Sequence, residues 1–121
     1  MVKNLELITD KVQSFSFADI TYIKNFNLSF LKEFNVHSSV LDIDFIVEGK
    51  DNRYLVQFRF HNPQNIHFES GGFYHQISLN IDDITERGWE NMKYEVEDYE
   101  DNALSFFCAE VEVISISETI Y

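Results

Sequence analysis

The feature that most constrains this chain is a regular alternation of apolar and polar side chains. Residues 92–97 read MKYEVE, in which apolar and charged residues take turns. The same period of two recurs in LDIDFIVE at residues 41–48 and in YLVQFRFH at residues 54–61. Successive side chains of a β-strand point to opposite faces, so this period is typical of a strand with one buried and one exposed face. The chain is therefore predicted to be mainly β.

Residues 41–60 predict a β-hairpin. Two alternating segments flank Gly49-Lys50-Asp51-Asn52, a four-residue connection of turn-forming residue types. Apolar residues at 66 and 68 indicate a short strand, and apolar residues of one parity from 73 to 81 indicate another. Residues 82–91 carry five charges and a glycine, and they are predicted to be a loop with room for one helical turn.

Residues 92–116 predict a second, longer hairpin with a mostly polar turn at residues 98–102. In its second arm the apolar residues change parity twice. A change of parity within one strand requires an additional residue, so β-bulges are expected near Phe106–Phe107 and near Val113–Ile114. Covered faces on both sides of the arm are an alternative explanation.

Two segments near the N-terminus fit more than one structure. Residues 3–12 suit either a short strand or a helical turn. Phe26, Phe30 and Phe34 are spaced by four, as on one face of a helix, but the segment also alternates as a strand does. The surrounding β pattern and the scarcity of alanine favour a strand for residues 26–36.

These segments together predict one domain, residues 1–121, with six or seven strands in an antiparallel meander. Short turns join most of the strands, and the sheet is expected to form a curved sheet, a sandwich or an open barrel. Residues 3–12 leave room for one short N-terminal helix.

The charge of the chain is strongly negative, at −12, and unevenly distributed. Residues 82–121 hold 12 acidic and two basic residues, whereas residues 1–81 hold nine and seven. Such a field repels nucleic acids and anionic membranes, and it attracts a basic partner. The alternative is that the acidity serves solubility alone.

Cysteine content and terminal sequence bear on the compartment. Cys108 is the single cysteine, so no internal disulfide is possible, and its apolar neighbours predict a buried thiol rather than a nucleophile. The first ten residues carry charges where a signal peptide needs an apolar run. No segment approaches the ~20 apolar residues of a membrane span. A cytoplasmic protein is expected.

No catalytic or metal-binding pattern is present in the sequence. The four histidines, at 37, 61, 67 and 75, are not spaced as a converging ligand set, so neither a metal nor another cofactor is predicted. No nucleophile, base and orienting group can be assembled by spacing, and the chain is predicted not to be an enzyme.

The stretch from residue 89 to residue 101 is the predicted partner-binding surface. It contains five acids within seven residues, together with three aromatic residues. Acids would steer a basic partner and aromatic side chains would anchor it. A solvated hairpin tip is the alternative, and a calcium loop is disfavoured because the run has no glycine. The predicted contact residues are Trp89, Tyr94, Glu95, Glu97, Asp98, Tyr99, Glu100 and Asp101.

The order of strand-like segments resembles that of small bacterial immunity proteins of polymorphic-toxin systems. The resemblance covers residues 40–116 and rests on LDIDFIVEG, YLVQFRFHNPQNIHFES, FYHQISLNIDDI and MKYEVEDYEDNALSFFCAEVEV. It implies a β-rich, cytoplasmic binding protein without enzymatic activity, which neutralises a cognate toxin expected to be basic. The alternatives are a small-molecule-binding β domain and a structural or oligomeric module. The sequence leaves the oligomeric state open.

Overall fold

The computed structural model describes residues 1–73 and 75–120. The short helix α1 spans Glu6–Thr9, and two 3-10 turns span Phe17–Asp19 and Thr85–Arg87. None of the helices in this described part of the chain is long and apolar enough to span a membrane. The strands are β1 (Ile20–Glu33), β2 (Val36–Glu48), β3 (Arg53–His61), β4 (Gln64–Phe68), β5 (His75–Gln76), β6 (Leu79–Asp83), β7 (Tyr94–Asp98), β8 (Leu104–Cys108) and β9 (Glu110–Thr119).

The strands form two sheets, in the orders β5-β1-β2-β3-β9 and β4-β8-β7-β6. Every strand pairing within the two sheets is antiparallel. The predicted mainly β, antiparallel fold is confirmed, and of the three predicted arrangements the sandwich is the one adopted. Helix α1 confirms the helical reading of residues 3–12.

The strand count in the described residues exceeds the six or seven predicted. The strand predicted over residues 73–81 is two strands, β5 and β6, which belong to different sheets. Tyr74, inside that predicted strand, lies outside the described residues. The buried members of the predicted strand, Ile77, Leu79 and Ile81, keep one parity, but Phe73 is exposed and the chain changes sheets between β5 and β6.

The β1–β2–β3 meander confirms two predictions. Residues 26–36 are strand and turn, with Phe26 opposite Ile43 in the β1–β2 ladder, so the helical alternative does not occur. The hairpin over residues 41–60 is present, and the Gly49 amide closes its connection by donating to the Asn52 carbonyl at 2.8 Å.

The last predicted hairpin is only partly correct. Strands β7 and β8 do pair antiparallel, but the second arm is not a single strand. At Ala109 the chain leaves the four-stranded sheet, and β9 pairs with β3 of the other sheet. A strand of one sheet cannot continue into another without a break, so the predicted arm divides here.

The two predicted bulges have different outcomes. The bulge near Val113–Ile114 is confirmed, because Val113 and Ser115 face consecutive residues of β3 and leave Ile114 between them. The bulge near Phe106–Phe107 is wrong, since Phe106 and Cys108 keep one buried parity. The change of parity falls instead at the crossing between the sheets.

The core lies between the two sheets and is built largely from phenylalanine. Phe45 and Phe58 of the five-stranded sheet meet edge to face, with ring centroids 5.4 Å apart. Phe60 of the same sheet meets Phe106 of the four-stranded sheet at 4.9 Å and 82°. This second contact joins the sheets, and edge-to-face pairs contribute beyond the apolar area they bury.

Removing the Phe106 ring should destabilise the fold strongly. Truncation of a fully buried phenylalanine leaves a cavity between the sheets, and we expect Phe106→Ala to lower the free energy of unfolding by about 3–5 kcal/mol. Phe30→Ala, at a phenylalanine that is 80% exposed, should stay within about 0.5 kcal/mol of wild type. Denaturant unfolding measures both. Equal losses for the two variants would contradict this account of the core.

Cys108 lies in the same core and confirms the prediction of a buried thiol. Desolvation raises the pKa of this thiol to about 12. Thiols react with disulfide and maleimide reagents as thiolates, so the folded protein presents almost no reactive form near neutral pH.

We expect a disulfide reagent at pH 8 to label Cys108 slowly in the folded protein and rapidly in denaturant. Labelling should follow the rate at which the sandwich opens, because burial removes both access and ionisation. Stopped-flow absorbance measures the reaction, with Cys108→Ala as the blank. Fast stoichiometric labelling of the folded chain would show that the thiol is accessible.

Candidate functional site

The outer face of the four-stranded sheet carries a group of carboxylates that we call the acidic face: Asp82 of β6 and Glu95 and Glu97 of β7. Residues of β7 alternate between core and solvent, which directs both glutamates outward. Asp82 stands directly opposite Glu95 across the β6–β7 ladder. Like charges in this arrangement destabilise a sheet, so the acidic face is not explained by stability.

An aromatic cluster borders the acidic face. Trp89 is 41% exposed and packs edge to face on Phe107, with ring centroids 5.8 Å apart. Phe107 of β8 lies opposite Glu95 of β7. The Arg87 guanidinium sits 5.1 Å from the centre of the Trp89 ring and 3.7 Å from a Glu95 carboxylate oxygen. Trp89 is thereby held at the edge of the acidic face with part of its ring open to solvent.

Two of the predicted contact residues have no place on this surface. Tyr94 is 6% exposed, and its hydroxyl accepts a hydrogen bond from the Met1 ammonium group. Burial raises the pKa of Tyr94. Asp98 is 1% exposed. Both side chains share the inward parity of β7 and cannot reach a partner in this conformation.

Asp98 has a structural task in the β7–β8 turn. One carboxylate oxygen accepts from the Ser78 amide at 3.2 Å, and the other accepts from the Ala103 amide at 3.2 Å. The Asn102 amide donates to the Asp98 carbonyl at 3.0 Å. Asp98 therefore ties the turn to the beginning of β6.

The remaining predicted residues, Tyr99, Glu100 and Asp101, are exposed in the turn after β7. We call them the acidic turn. Trp89 precedes the start of β7 and the acidic turn follows its end. A five-residue strand is about 17 Å long, so the two groups lie at opposite ends of the face. Sequence proximity had suggested a single compact site, and the structure separates it into two.

The five-stranded sheet shows a contrasting arrangement of charge. Arg59 binds Asp42 with two hydrogen bonds, of 2.8 and 3.1 Å. Glu112 lies 2.6 Å from a His61 ring nitrogen, and the Lys3 ammonium donates to Glu110 at 3.0 Å. That bond lowers the pKa of Glu110. Within the described residues, by contrast, no ion pair reaches Asp82, Glu97 or the acids of the acidic turn.

An exposed apolar segment at the far end of the β1–β2 hairpin was not among the residues predicted to bind a partner. Phe30, Leu31, Phe34 and Val36 are all exposed there. The signal was present as three phenylalanines spaced by four. It was not recognised because that spacing also fits a helix, on which the rings would have shared one face.

Neither a metal site nor a pocket between the sheets is apparent in the described residues. No group of three or more histidine, cysteine or acidic side chains is placed to hold an ion there. Phe45, Phe58 and Phe60, which a ligand pocket between the sheets would use as its lining, are fully buried and pack on one another.

Asp98→Ala should destabilise the folded chain itself, and this effect does not depend on a binding partner. The substitution leaves two partly buried backbone amides, those of Ser78 and Ala103, without their acceptor, so we expect the free energy of unfolding to fall by about 1–3 kcal/mol. Asp101→Ala, at an exposed acid of the same turn, should change it by less than about 0.5 kcal/mol. Thermal and denaturant unfolding measure both. If Asp98→Ala proved neutral, the turn would not depend on this carboxylate.

Comparison with known proteins places the chain in a family. The family model described as Immunity protein PIM8 matches residues 7–114, nearly the whole sequence. The match covers both sheets, the acidic face and the acidic turn. No curated protein and no solved structure matched the chain.

Proposed function

This chain belongs to the Immunity protein PIM8 family, and we propose that it is a non-enzymatic inhibitor that binds a cognate bacterial toxin through the acidic face. The toxin surface that it covers is expected to be basic. The observation that supports this most directly is that, within the described residues, Asp82 and Glu97 have no cation beside them, whereas three acids of the five-stranded sheet lie beside basic side chains: Asp42, Glu110 and Glu112.

The unpaired carboxylates supply the attraction. Asp82 and Glu97 keep their charge available for an incoming cation, because the ion pair of Arg87 on this face is with Glu95. The long-range field of the chain, with a net charge of −12, adds to this local effect. Such a field raises the rate at which an oppositely charged protein associates, and salt weakens it.

The aromatic cluster supplies short-range contact. Tryptophan is among the residues that contribute most when truncated in interfaces, and Trp89 is already held in place by Phe107 and Arg87. A side chain that is ordered before binding loses less conformational entropy when the complex forms. The acidic turn extends the same face at its other end.

A basic toxin surface fits this arrangement chemically. Proteins that act on nucleic acids grip phosphate with lysine and arginine, and an acidic inhibitor that covers those groups blocks the substrate. The inhibitor needs no catalytic group for this task. It needs complementary charge, an anchor and a rigid sheet on which to present both.

The test begins with the immobilised chain in lysate of its own bacterium, at low and at high salt. The retained protein is identified by mass, expressed separately, and assayed for toxicity with and without this chain. We expect one basic protein, whose activity the chain suppresses. If the wild-type chain suppresses no retained protein, the proposed function is wrong.

Charge reversal on the acidic face should weaken the complex mainly at low salt. For Asp82→Lys with Glu97→Lys, we expect the association rate with the purified toxin to fall about tenfold at low salt, with the difference shrinking at high salt. Surface plasmon resonance gives both rates.

The matched control is Glu6→Lys with Asp51→Lys. Both residues are exposed and lie on α1 and the β2–β3 turn, outside the four-stranded sheet, and the change in net charge is the same. An equal loss in the control pair would mean that net charge alone, and not this face, guides association.

A further inference from the structure

The far end of the β1–β2 hairpin projects beyond the sandwich. The β2–β3 ladder begins at Val40, opposite His61, so residues 30–39 form a ribbon of two strands, and no other strand of the described chain pairs with it. We call this ribbon the hairpin tip. A two-stranded ribbon is marginal by itself in water, and a projection of this kind gains little from the core.

The hairpin tip carries an unusual amount of exposed apolar surface. Phe34 is 91% exposed, Phe30 is 80% exposed, and Leu31 and Val36 are also open to solvent. A phenylalanine side chain presents about 150–250 Å². Leu31 and Val36 share one face of the ribbon and Phe30 lies on the other, with Phe34 in the turn that joins them. Exposed apolar side chains concentrated in this way mark a site of interaction rather than ordinary scatter.

The backbone at Phe34 is strained. The turn is formed by Phe34 and Asn35, with φ of 51° and 66°. Two-residue hairpin turns of this kind favour asparagine, aspartate or glycine at both central positions. Phe34 is the exception among the non-glycine residues with positive φ in the described chain. The others are all asparagine or serine: Asn4, Ser14, Asn35, Asn62, Asn65, Asn91 and Asn102.

Neither stability nor turn chemistry explains this phenylalanine. A bulky residue in the left-handed region costs conformational energy, and Phe34 recovers none of it through burial. Strained residues that make no structural contact are characteristic of binding sites, where the contact is made by the partner.

A groove links the hairpin tip to the aromatic edge of the acidic face. Phe30 of the hairpin tip and Asn91, two residues after Trp89, both line this open groove of about 380 Å³, together with Pro63 and Gln64. Gln64 lies opposite Phe107 in the β4–β8 ladder, and Trp89 packs on Phe107. The path from the hairpin tip to Trp89 is therefore one continuous surface.

We propose that the hairpin tip is the apolar half of the toxin-binding surface, with Phe34 inserted into an apolar pocket that lies beside the basic surface of the toxin. This inference rests on the proposed function. The opposite charges of Lys32 and Glu33 cancel on the hairpin tip. Its contact with the toxin is therefore insensitive to salt. A second copy of the chain is a poorer occupant, because two chains of charge −12 repel each other.

The decisive variant is Phe34→Asn, which supplies the residue that the turn prefers and removes the ring. We expect the melting temperature to stay unchanged or rise by a few degrees, because strain is relieved and no buried contact is lost. We expect the affinity for the purified toxin to fall about 30-fold, the loss typical of an interface anchor, and to fall equally at low and high salt.

Two further variants complete the design. Phe34→Gly relieves the same strain with a different residue and should reproduce the loss of affinity. Phe73→Asn removes another exposed phenylalanine, which lies outside the hairpin tip, and should bind as wild type does. Calorimetry gives the melting temperatures, and titration calorimetry at two salt concentrations gives the affinities.

Each other outcome overturns the inference in a recognisable way. If wild type binds the toxin and Phe34→Asn binds equally well, the hairpin tip is not part of the surface, and the proposed function stands. If wild type binds no toxin, both proposals fail. A marked drop in the melting temperature assigns Phe34 to the fold instead. A concentration-dependent mass of the chain alone, abolished by Phe34→Asn, identifies a second copy as the occupant.

Discussion

The structure depends on one contact between its two sheets, the packing of inward-facing phenylalanines such as Phe60 against Phe106. Once these rings are buried, alternation along each strand decides what every neighbouring side chain faces. Glu95 and Glu97 are outward because Tyr94 and Val96 are inward. The acidic face is therefore a consequence of the core, held rigid by strands that cannot shift by one residue without exposing apolar side chains.

The two outer faces differ in how many of their carboxylates lie beside a basic side chain. On the five-stranded sheet, several carboxylates lie beside a basic side chain, as Asp42 does beside Arg59. On the four-stranded sheet, Asp82 and Glu95 stand opposite each other, and Arg87 offsets only part of the repulsion. Repulsion between facing acids has no benefit to folding, and under the proposed function its benefit is the attraction of a basic partner.

Sequence reasoning succeeded where one strand stays in one sheet, and it failed where the chain changes sheets. Residues 41–60 were predictable because β2 and β3 alternate without interruption. The crossing at Ala109 could not be foreseen, since a change of parity looks the same whether a bulge or a new sheet causes it. The prediction that Asp98 contacts a partner could have been avoided from the sequence, because Asp98 shares the inward parity of Tyr94 and Val96. The strain at Phe34 required backbone angles, which no residue pattern contains.

In the proposed complex, the two parts of the binding surface act on different rates. Charge on the acidic face acts at a distance, so it governs how often the toxin arrives in a productive orientation. An apolar ring in a fitted pocket acts only on contact, so it governs how long the toxin remains. An inhibitor that must suppress a toxin inside its own cell needs both properties, since fast capture without slow release leaves free toxin at equilibrium. Because the acidic face and the hairpin tip occupy separate positions on a rigid sandwich, the sequence of each can change without disturbing the other or the core.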